Sequence, residues 1–60
     1  SNIILAHNHP SGVLTPSKQD IQMTKQIFQA GKIMDINLLD HLIISSTSYY
    51  SFADDNKIES

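Results

Sequence analysis

A short apolar run that stops at a turn is the feature that most constrains the fold of this chain. Residues 3–6 are an unbroken series of Ile, Leu and Ala, which suits a strand buried on both faces of a sheet. Residues 7–9 continue this strand or leave its end. Pro10 presets φ for a turn and Gly12 can adopt a positive φ, so the chain reverses here. The fold must therefore supply neighbours for this strand.

The segment after the turn predicts one main helix over residues 17–33. Ser17 and Asp20 have the spacing of a capping box, although Glu or Gln is preferred to Asp at the second position. Residues that share one side of a helix then recur at helical spacing, and they are Ile21, Thr24, Ile27, Phe28 and Gly31. Gly31 also suits the end of a helix.

Two further strands are predicted after the helix. Residues 40–46 are rich in Leu and Ile, and residues 49–52 contain Tyr and Phe, which favour β-structure. The serines of residues 45–48 suit a turn, so the two strands form a hairpin. The helix makes a crossover long enough for a parallel, right-handed βαβ unit. We expect an α/β fold of order β-α-β-β, with a partial sheet and a polar, frayed tail at residues 54–60.

A chain of 60 residues forms at most one small domain. A domain of this size buries only about 60% of the surface that its unfolded chain exposes, and it usually needs disulfides, a metal or a partner subunit. The chain has no cysteine, so a metal and oligomerisation are the remaining supports. We expect either part of a larger domain or a homo-oligomer formed through an exposed sheet edge.

Charge and hydropathy narrow the expected partners and location. The formal net charge is −2, and the basic residues are four scattered lysines with no arginine. Because phosphate contacts require a basic patch, nucleic acid is not an expected partner. No apolar stretch has the length of a transmembrane helix or the layout of a signal peptide. No membrane association is expected, and the cytoplasm is the expected location.

Two histidines at the end of the first strand predict a metal site. Side chains at i and i+2 of an extended chain point to the same face, so His7 and His9 can meet one ion. The turn brings the first helical turn back over the strand end, where Asp20 can supply a third ligand. Three protein ligands with one water as the fourth are typical of an open zinc site. Other divalent metals also accept this ligand set, but zinc is the first choice.

The wider motif carries a family resemblance. Residues 7–10 read His-Asn-His-Pro, and Ser17 and Asp20 complete the pattern H-x-H-x7-S-x2-D. This spacing resembles the JAMM signature of the MPN-plus metalloproteases. The Pro-Ser-Gly turn and the later segments Asp-His-Leu-Ile-Ile and Tyr-Tyr-Ser-Phe are similar to the bacterial RadC branch of that superfamily. The resemblance spans about residues 2–54.

The resemblance implies a role for each motif residue. His7, His9 and Asp20 match the metal ligands of the family. Ser17 matches the catalytic position whose hydroxyl holds the metal water or stabilises the tetrahedral intermediate. The family fold is a deaminase-like (JAB/MPN) α/β sandwich, and residues 1–60 would be its C-terminal part. Characterised members cleave peptide or isopeptide bonds, so a peptide or protein is the implied substrate.

The family also has a glutamate general base on a strand that precedes the motif. Glu59 is the only glutamate among the 60 residues, and it matches no position of the motif. Because general-base catalysis contributes about 10²–10⁴-fold, we expect this chain alone to bind metal and to hydrolyse slowly or not at all.

Several of these residues also have simpler roles open to them. A capping box alone accounts for Ser17 and Asp20. Pro10 and Gly12 can serve only the turn. His41 follows the helix and matches no family role, so it is expected to be structural. The aromatic residues of the third strand are expected to serve strand packing rather than to form a ligand platform.

Three functions remain open from the sequence. The first is a zinc-dependent metallohydrolase domain of the RadC type, acting on a peptide or isopeptide bond. The second is a DNA-repair-associated RadC protein, against which the acidic balance argues. The third is a non-catalytic interaction scaffold, against which the complete set of ligands argues.

Overall fold

The computed structural model describes residues 1–58 and confirms the predicted order of elements. The elements are β1 (Asn2–Asn8), α1 (Lys18–Ile33), β2 (Asn37–Ile44) and β3 (Tyr49–Ser51). The helix begins one residue after its N-cap Ser17 and ends where the sequence predicts. The α/β class is therefore confirmed. Glu59 and Ser60, the end of the predicted frayed tail, lie outside the described residues.

The three strands form one mixed sheet with the order β1-β2-β3. β1 pairs with β2 in parallel, and β2 pairs with β3 in an antiparallel hairpin, as predicted. The parallel register sets Leu5 beside His41 and His7 beside Ile43. It is interrupted between Ile3 and Ile4, where β2 carries one extra residue. The central strand β2 therefore brings its own side chains next to the histidine-bearing end of β1.

The bounds of β2 differ from the prediction at both ends. The strand begins at Asn37, since Asn37 pairs with Asn2 of β1, and it ends at Ile44 rather than at residue 46. The early end follows from the hairpin turn, in which the Ser45 amide donates to the Ser48 carbonyl at 2.9 Å. The pairing with β1 thus sets the start of β2, and the hairpin turn sets its end.

The expectation that β1 is buried on both faces is wrong for the described part of the chain. Burial alternates along the strand: Ile3, Leu5 and His7 are half-buried, whereas Ile4 is 58% exposed. The cause is that α1 packs on one face of the sheet. Among the described strands β1 also lies at an edge. An apolar run is thus compatible with a strand covered on one side.

The core is small and partly polar. Leu38, Ile43 and Phe52 are the buried apolar residues among those described. Buried polar residues lie beside them, and they are Asp20, Thr24, His41 and Ser51. Within residues 1–58, every buried side-chain nitrogen or oxygen has a hydrogen-bond partner. The polar part of the core is therefore satisfied internally, as buried polar groups must be.

Gly31 allows the end of α1 to pack closely against the following chain. A Cβ at this position would lie 2.5 Å from the Ile36 carbonyl oxygen. The Ile36 amide instead donates to the Gly31 carbonyl at 2.7 Å. This contact turns the chain from the helix into β2.

The segment after β3 is held by local hydrogen bonds. The Lys57 amide donates to the Phe52 carbonyl at 2.8 Å, and the Tyr50 hydroxyl donates to Asp55 at 2.8 Å. Fraying of this segment in solution stays a prediction. Across the described residues, no helix combines the length and the apolar character that crossing a membrane requires.

Candidate metal centre

The end of β1 positions the two histidines of the motif. His7 lies on the half-buried face of β1, next to Ile43 of β2. The His9 amide donates to the Ile44 carbonyl at 3.1 Å, which extends the ladder past the last strand residue. The Gly12 amide then donates to the His9 carbonyl at 2.9 Å, with Gly12 at a φ of 81°. The turn therefore begins at His9 and is closed by this hydrogen bond from Gly12.

The N-terminus of α1 positions the carboxylate. The Asp20 amide donates to the Ser17 hydroxyl oxygen at 3.0 Å, and the Ser17 amide donates to Oδ2 of Asp20 at 2.9 Å. Both halves of the predicted capping box are therefore present, with Asp in place of Glu or Gln. This pair of bonds fixes the Asp20 side chain and leaves Oδ1 without a capping partner, facing His7.

The three predicted ligands converge. Nε2 of His7 lies 3.3 Å from Oδ1 of Asp20, and Nε2 of His9 lies 3.4 Å from Oδ2. The two Nε2 atoms lie 2.9 Å apart. Two ligands of one tetrahedral zinc ion, each about 2.0–2.1 Å from it, are separated by about 3.3 Å. The observed spacing is thus that of atoms able to share one metal ion, and the three residues form a cluster within 4.8 Å.

The charge of the cluster also suits a cation. Burial raises the pKa of the Asp20 carboxyl, but hydrogen bonds from Ser17 lower it, and the nearby His7 and His9 lower it further. The net effect places the pKa of Asp20 below its ordinary value. The carboxylate is therefore ionised at neutral pH, the state in which it ligates metals.

The backbone orients one of the two imidazoles. Nδ1 of His9 lies 2.8 Å from the Val13 carbonyl oxygen. A carbonyl only accepts, so Nδ1 carries a proton, and in the neutral imidazole Nε2 then keeps its lone pair. This is the arrangement by which metal-binding histidines are commonly held, with the second ring nitrogen bound to a carbonyl or carboxylate.

His41 lies behind His7 in the core. Nε2 of His41 is 2.9 Å from Nδ1 of His7, and its ring stacks on Phe52 with centroids 4.7 Å apart. Burial lowers the pKa of His41, and the neighbouring His7 adds to this effect. Asp20 and Asp40 oppose it, but the pKa stays below its ordinary value. His41 is therefore neutral at pH 7.

Ser17 acts in the structure as the helix cap. Its hydroxyl oxygen accepts the Asp20 amide proton, which agrees with the simpler role that the sequence left open. A hydroxyl has one further lone pair and one proton for another partner. The catalytic role of Ser17 stays a prediction.

An open groove adjoins the cluster at the carboxyl ends of β1 and β2. It has a volume of about 360 Å³. Its lining residues come from the turn after β1 and from the end of β2, and they are Asn8, His9, Pro10, Gly12, Ile44, Ser45 and Ser46. His9 is the one residue of the cluster that also lines this groove.

Sequence reasoning missed the residues behind the ligands. Thr24 is four residues after Asp20, so it lies on the same face of α1, and this spacing could have indicated it. His41 is brought to His7 by the parallel register. No local pattern predicts that register, so the sequence indicates a structural role for His41 but not its contact with a ligand.

The fold and the cluster together define a class: a small α/β unit in which two strand-end histidines meet a carboxylate from a helix N-terminus. Comparison with known families agrees with this class. The family model described as a RadC-like JAB domain matches residues 1–58. The chain belongs to this family.

Curated relatives support the same assignment. A UPF0758 protein of Flavobacterium johnsoniae is 58% identical over 55 residues, which cover 92% of this chain and 24% of that protein. A UPF0758 protein of Thermosynechococcus vestitus is 57% identical over 51 residues, covering 85% of this chain and 20% of that protein. A UPF0758 protein of Thermotoga maritima is 45% identical over 58 residues, covering 97% and 26%. The chain thus spans about a quarter of the length of these relatives.

Proposed function

We propose that His7, His9 and Asp20 bind one divalent metal ion, with zinc as the first choice. The observation that carries this proposal is the convergence of three residues, each of which has a ligand atom within about 3.5 Å of a ligand atom of the other two. The ionised carboxylate and the lone pair on Nε2 of neutral His9 suit a cation. Three protein ligands leave one coordination position for water or substrate, as in catalytic zinc sites.

We further propose that the site belongs to a hydrolase that cleaves an amide bond of a peptide or protein. A bound divalent ion would polarise a carbonyl and lower the pKa of a water towards neutrality. The groove beside His9 would hold the substrate segment next to the cluster. The Ser17 hydroxyl, at the N-cap of α1, would donate a hydrogen bond to the oxygen that becomes negative during the reaction.

The general base is the part of this machinery that the described residues do not supply. The JAMM resemblance implies a glutamate before the motif, and Glu59 matches no such position. A positioned base contributes about 10²–10⁴-fold. We therefore propose that these 60 residues bind metal but turn substrate over slowly, and that full activity requires the glutamate.

A zinc titration of the folded chain by calorimetry tests the site. We expect one ion per chain with a dissociation constant below about 1 μM, in the range of specific binding. The variant His9→Ala removes one ligand without touching the capping box, and its affinity should fall by at least about 100-fold, since a ligand contributes more than the groups that orient it.

The variant Gln22→Ala is the matched control, because Gln22 is exposed on α1 away from the cluster. Its affinity should equal that of the unmodified chain. Absence of binding below the micromolar range, or equal affinities for His9→Ala and the control, would contradict the proposed site.

The DNA-repair alternative predicts a different measurement. Direct DNA binding depends on phosphate contacts, and the net charge of −2 with four dispersed lysines provides few of them. A gel shift at low salt would favour this alternative if the complex dissociated on addition of salt. The scaffold alternative predicts no metal binding in the titration above. The expected cytoplasmic location and homo-oligomerisation stay predictions.

A further inference from the structure

We propose that Thr24 and His41 are positioning residues whose hydrogen bonds hold His7 in its Nδ1–H tautomer, so that Nε2 of His7 faces the metal with a free lone pair. The proposal deepens the metal site proposed above and rests on it for the role of the metal. It assigns a purpose to two buried polar side chains that belong neither to the ligand set nor to the groove.

The proton order, meaning which atom of each hydrogen-bonded pair carries the proton, is set by a carbonyl at one end of the chain of hydrogen bonds. The Thr24 hydroxyl lies 2.7 Å from the Asp20 carbonyl oxygen and 2.6 Å from Nδ1 of His41. A carbonyl oxygen only accepts, so the single hydroxyl proton of Thr24 points to Asp20. The Thr24 oxygen can then only accept from His41. Nδ1 of His41 therefore carries a proton.

The next step passes through the His41 ring. His41 is only 2% exposed, and within residues 1–58 its ring has no hydrogen bond to a carboxylate, so the neutral imidazole with one proton is favoured in this position. With that proton on Nδ1, Nε2 of His41 is an acceptor. Nδ1 of His7, at 2.9 Å, must then be the donor. The remaining nitrogen of His7, Nε2, is left with its lone pair.

This order makes the cluster a site with three acceptors and no donor. His9 already holds its proton on Nδ1 through the Val13 carbonyl. If His7 does the same, both Nε2 atoms and the Asp20 carboxylate present lone pairs to one point. A single metal ion at that point can accept all three lone pairs at once. Thr24 and His41 therefore orient the His7 ring and also leave its Nε2 lone pair available to a cation.

The two histidines differ in how their tautomer is fixed. A backbone carbonyl fixes His9, whereas two side chains fix His7. Thr24 also contacts the carbonyl of the third ligand, Asp20, so one hydroxyl connects the helix-borne ligand with the strand-borne one. Removal of the Thr24 hydroxyl should therefore affect His7 and leave His9 unchanged.

The test is the tautomer of His41 in the metal-free chain, read from long-range proton–nitrogen correlation spectra of the imidazoles at about pH 8.5, two units above the ordinary pKa of His. We expect the Nδ1–H form. The Nε2–H form would overturn the proposal, whatever the affinity for zinc. This measurement needs no variant and no metal.

A pair of variants tests the consequence for the metal. Thr24→Val keeps the shape of the side chain and removes the acceptor, so the proton of His41 should move to Nε2 and that of His7 should follow. Zinc affinity should then fall by about 10–100-fold, the usual effect of losing an outer hydrogen-bond partner. Thr24→Ser restores the hydroxyl and should return both the His41 tautomer and the zinc affinity.

The outcomes separate the two proposals. If the unmodified chain shows the Nδ1–H form of His41 but binds no zinc, the metal site fails while the proton order stands. If zinc binds equally well to the folded Thr24→Val variant and to the unmodified chain, the positioning role is overturned while the metal site stands.

Discussion

At the scale of single residues, buried Asp20 and half-buried Asp40 perform different tasks. Asp40 uses both oxygens within the fold: Oδ1 accepts from the His41 and Ala53 amides, at 2.7 and 3.0 Å, and Oδ2 accepts from the Ser51 hydroxyl at 2.6 Å. Asp20, in contrast, keeps Oδ1 for the histidine cluster. The first carboxylate therefore ties β2 to β3, and the second is available to a ligand.

Asp40 should make stability depend on pH. Burial raises the pKa of its carboxyl, but hydrogen bonds from Ser51, Ala53 and His41 lower it below the ordinary value. Since the folded state binds the proton less tightly than the unfolded state, the contribution is complete above about pH 3.9 and is lost as the pH falls through the lower folded pKa.

Urea unfolding from about pH 2 to pH 7 checks this dependence, with Asp40→Asn as the variant. At neutral pH the variant should lose about 1–3 kcal/mol, the effect of weakening hydrogen bonds to a charged group. The difference should shrink in acid. Asp54→Asn, at an exposed position, is the control and should change little. A constant difference at every pH would contradict the ionic role of Asp40.

The ligand set could be predicted from the sequence because its parts are local. His7 and His9 share a strand face by simple alternation, and Asp20 follows from the helix start. The contact between the two residues behind the ligands could not be predicted in the same way. Thr24 and His41 are 17 residues apart and meet only because α1 packs on β2.

At the scale of elements, the start of α1 decides where the carboxylate lies. The capping box serves the helix and the cluster at once, because the same Ser17 amide that Asp20 satisfies also fixes the Asp20 side chain. The acidic residue at the positive end of the helix dipole gains further stabilisation there. The capping and metal-site interpretations of Ser17 and Asp20 are thus compatible.

Ser17→Ala should separate capping from ligation. Loss of the hydroxyl acceptor should cost about 0.5–2 kcal/mol of folding free energy. Zinc affinity should change by less than about tenfold, because the backbone amide at position 17 still holds Asp20. Ser17→Thr, which retains the oxygen, is the control for stability. A loss of affinity of about 100-fold in Ser17→Ala would instead identify the hydroxyl as part of the ligand set.

Element types were more predictable than element bounds. The capping box and the helical spacing placed α1 correctly, since both signals lie within the helix. The bounds of β2 depended on Asn2 as a pairing partner and on the hairpin turn at Ser45. The burial of β1 depends on which face of the sheet α1 covers. The sequence of β1 itself does not contain this information.

At the scale of the whole molecule, a small core leaves apolar surface on the sheet. Ile4, Ile44 and Tyr49 are 58%, 40% and 61% exposed. Scattered apolar exposure is ordinary in proteins, but these residues lie on adjacent strands of one sheet. The expectation of a larger domain or a homo-oligomer is consistent with this surface and stays a prediction.

Anomalous diffraction at the zinc absorption edge, from crystals of the zinc-loaded chain, tests the metal site most directly. We predict one anomalous peak about 2.0–2.2 Å from Nε2 of His7, Nε2 of His9 and an oxygen of Asp20, with His41 outside the coordination shell. A peak elsewhere, or ligation through Nδ1 of His7, would contradict the proposed metal site.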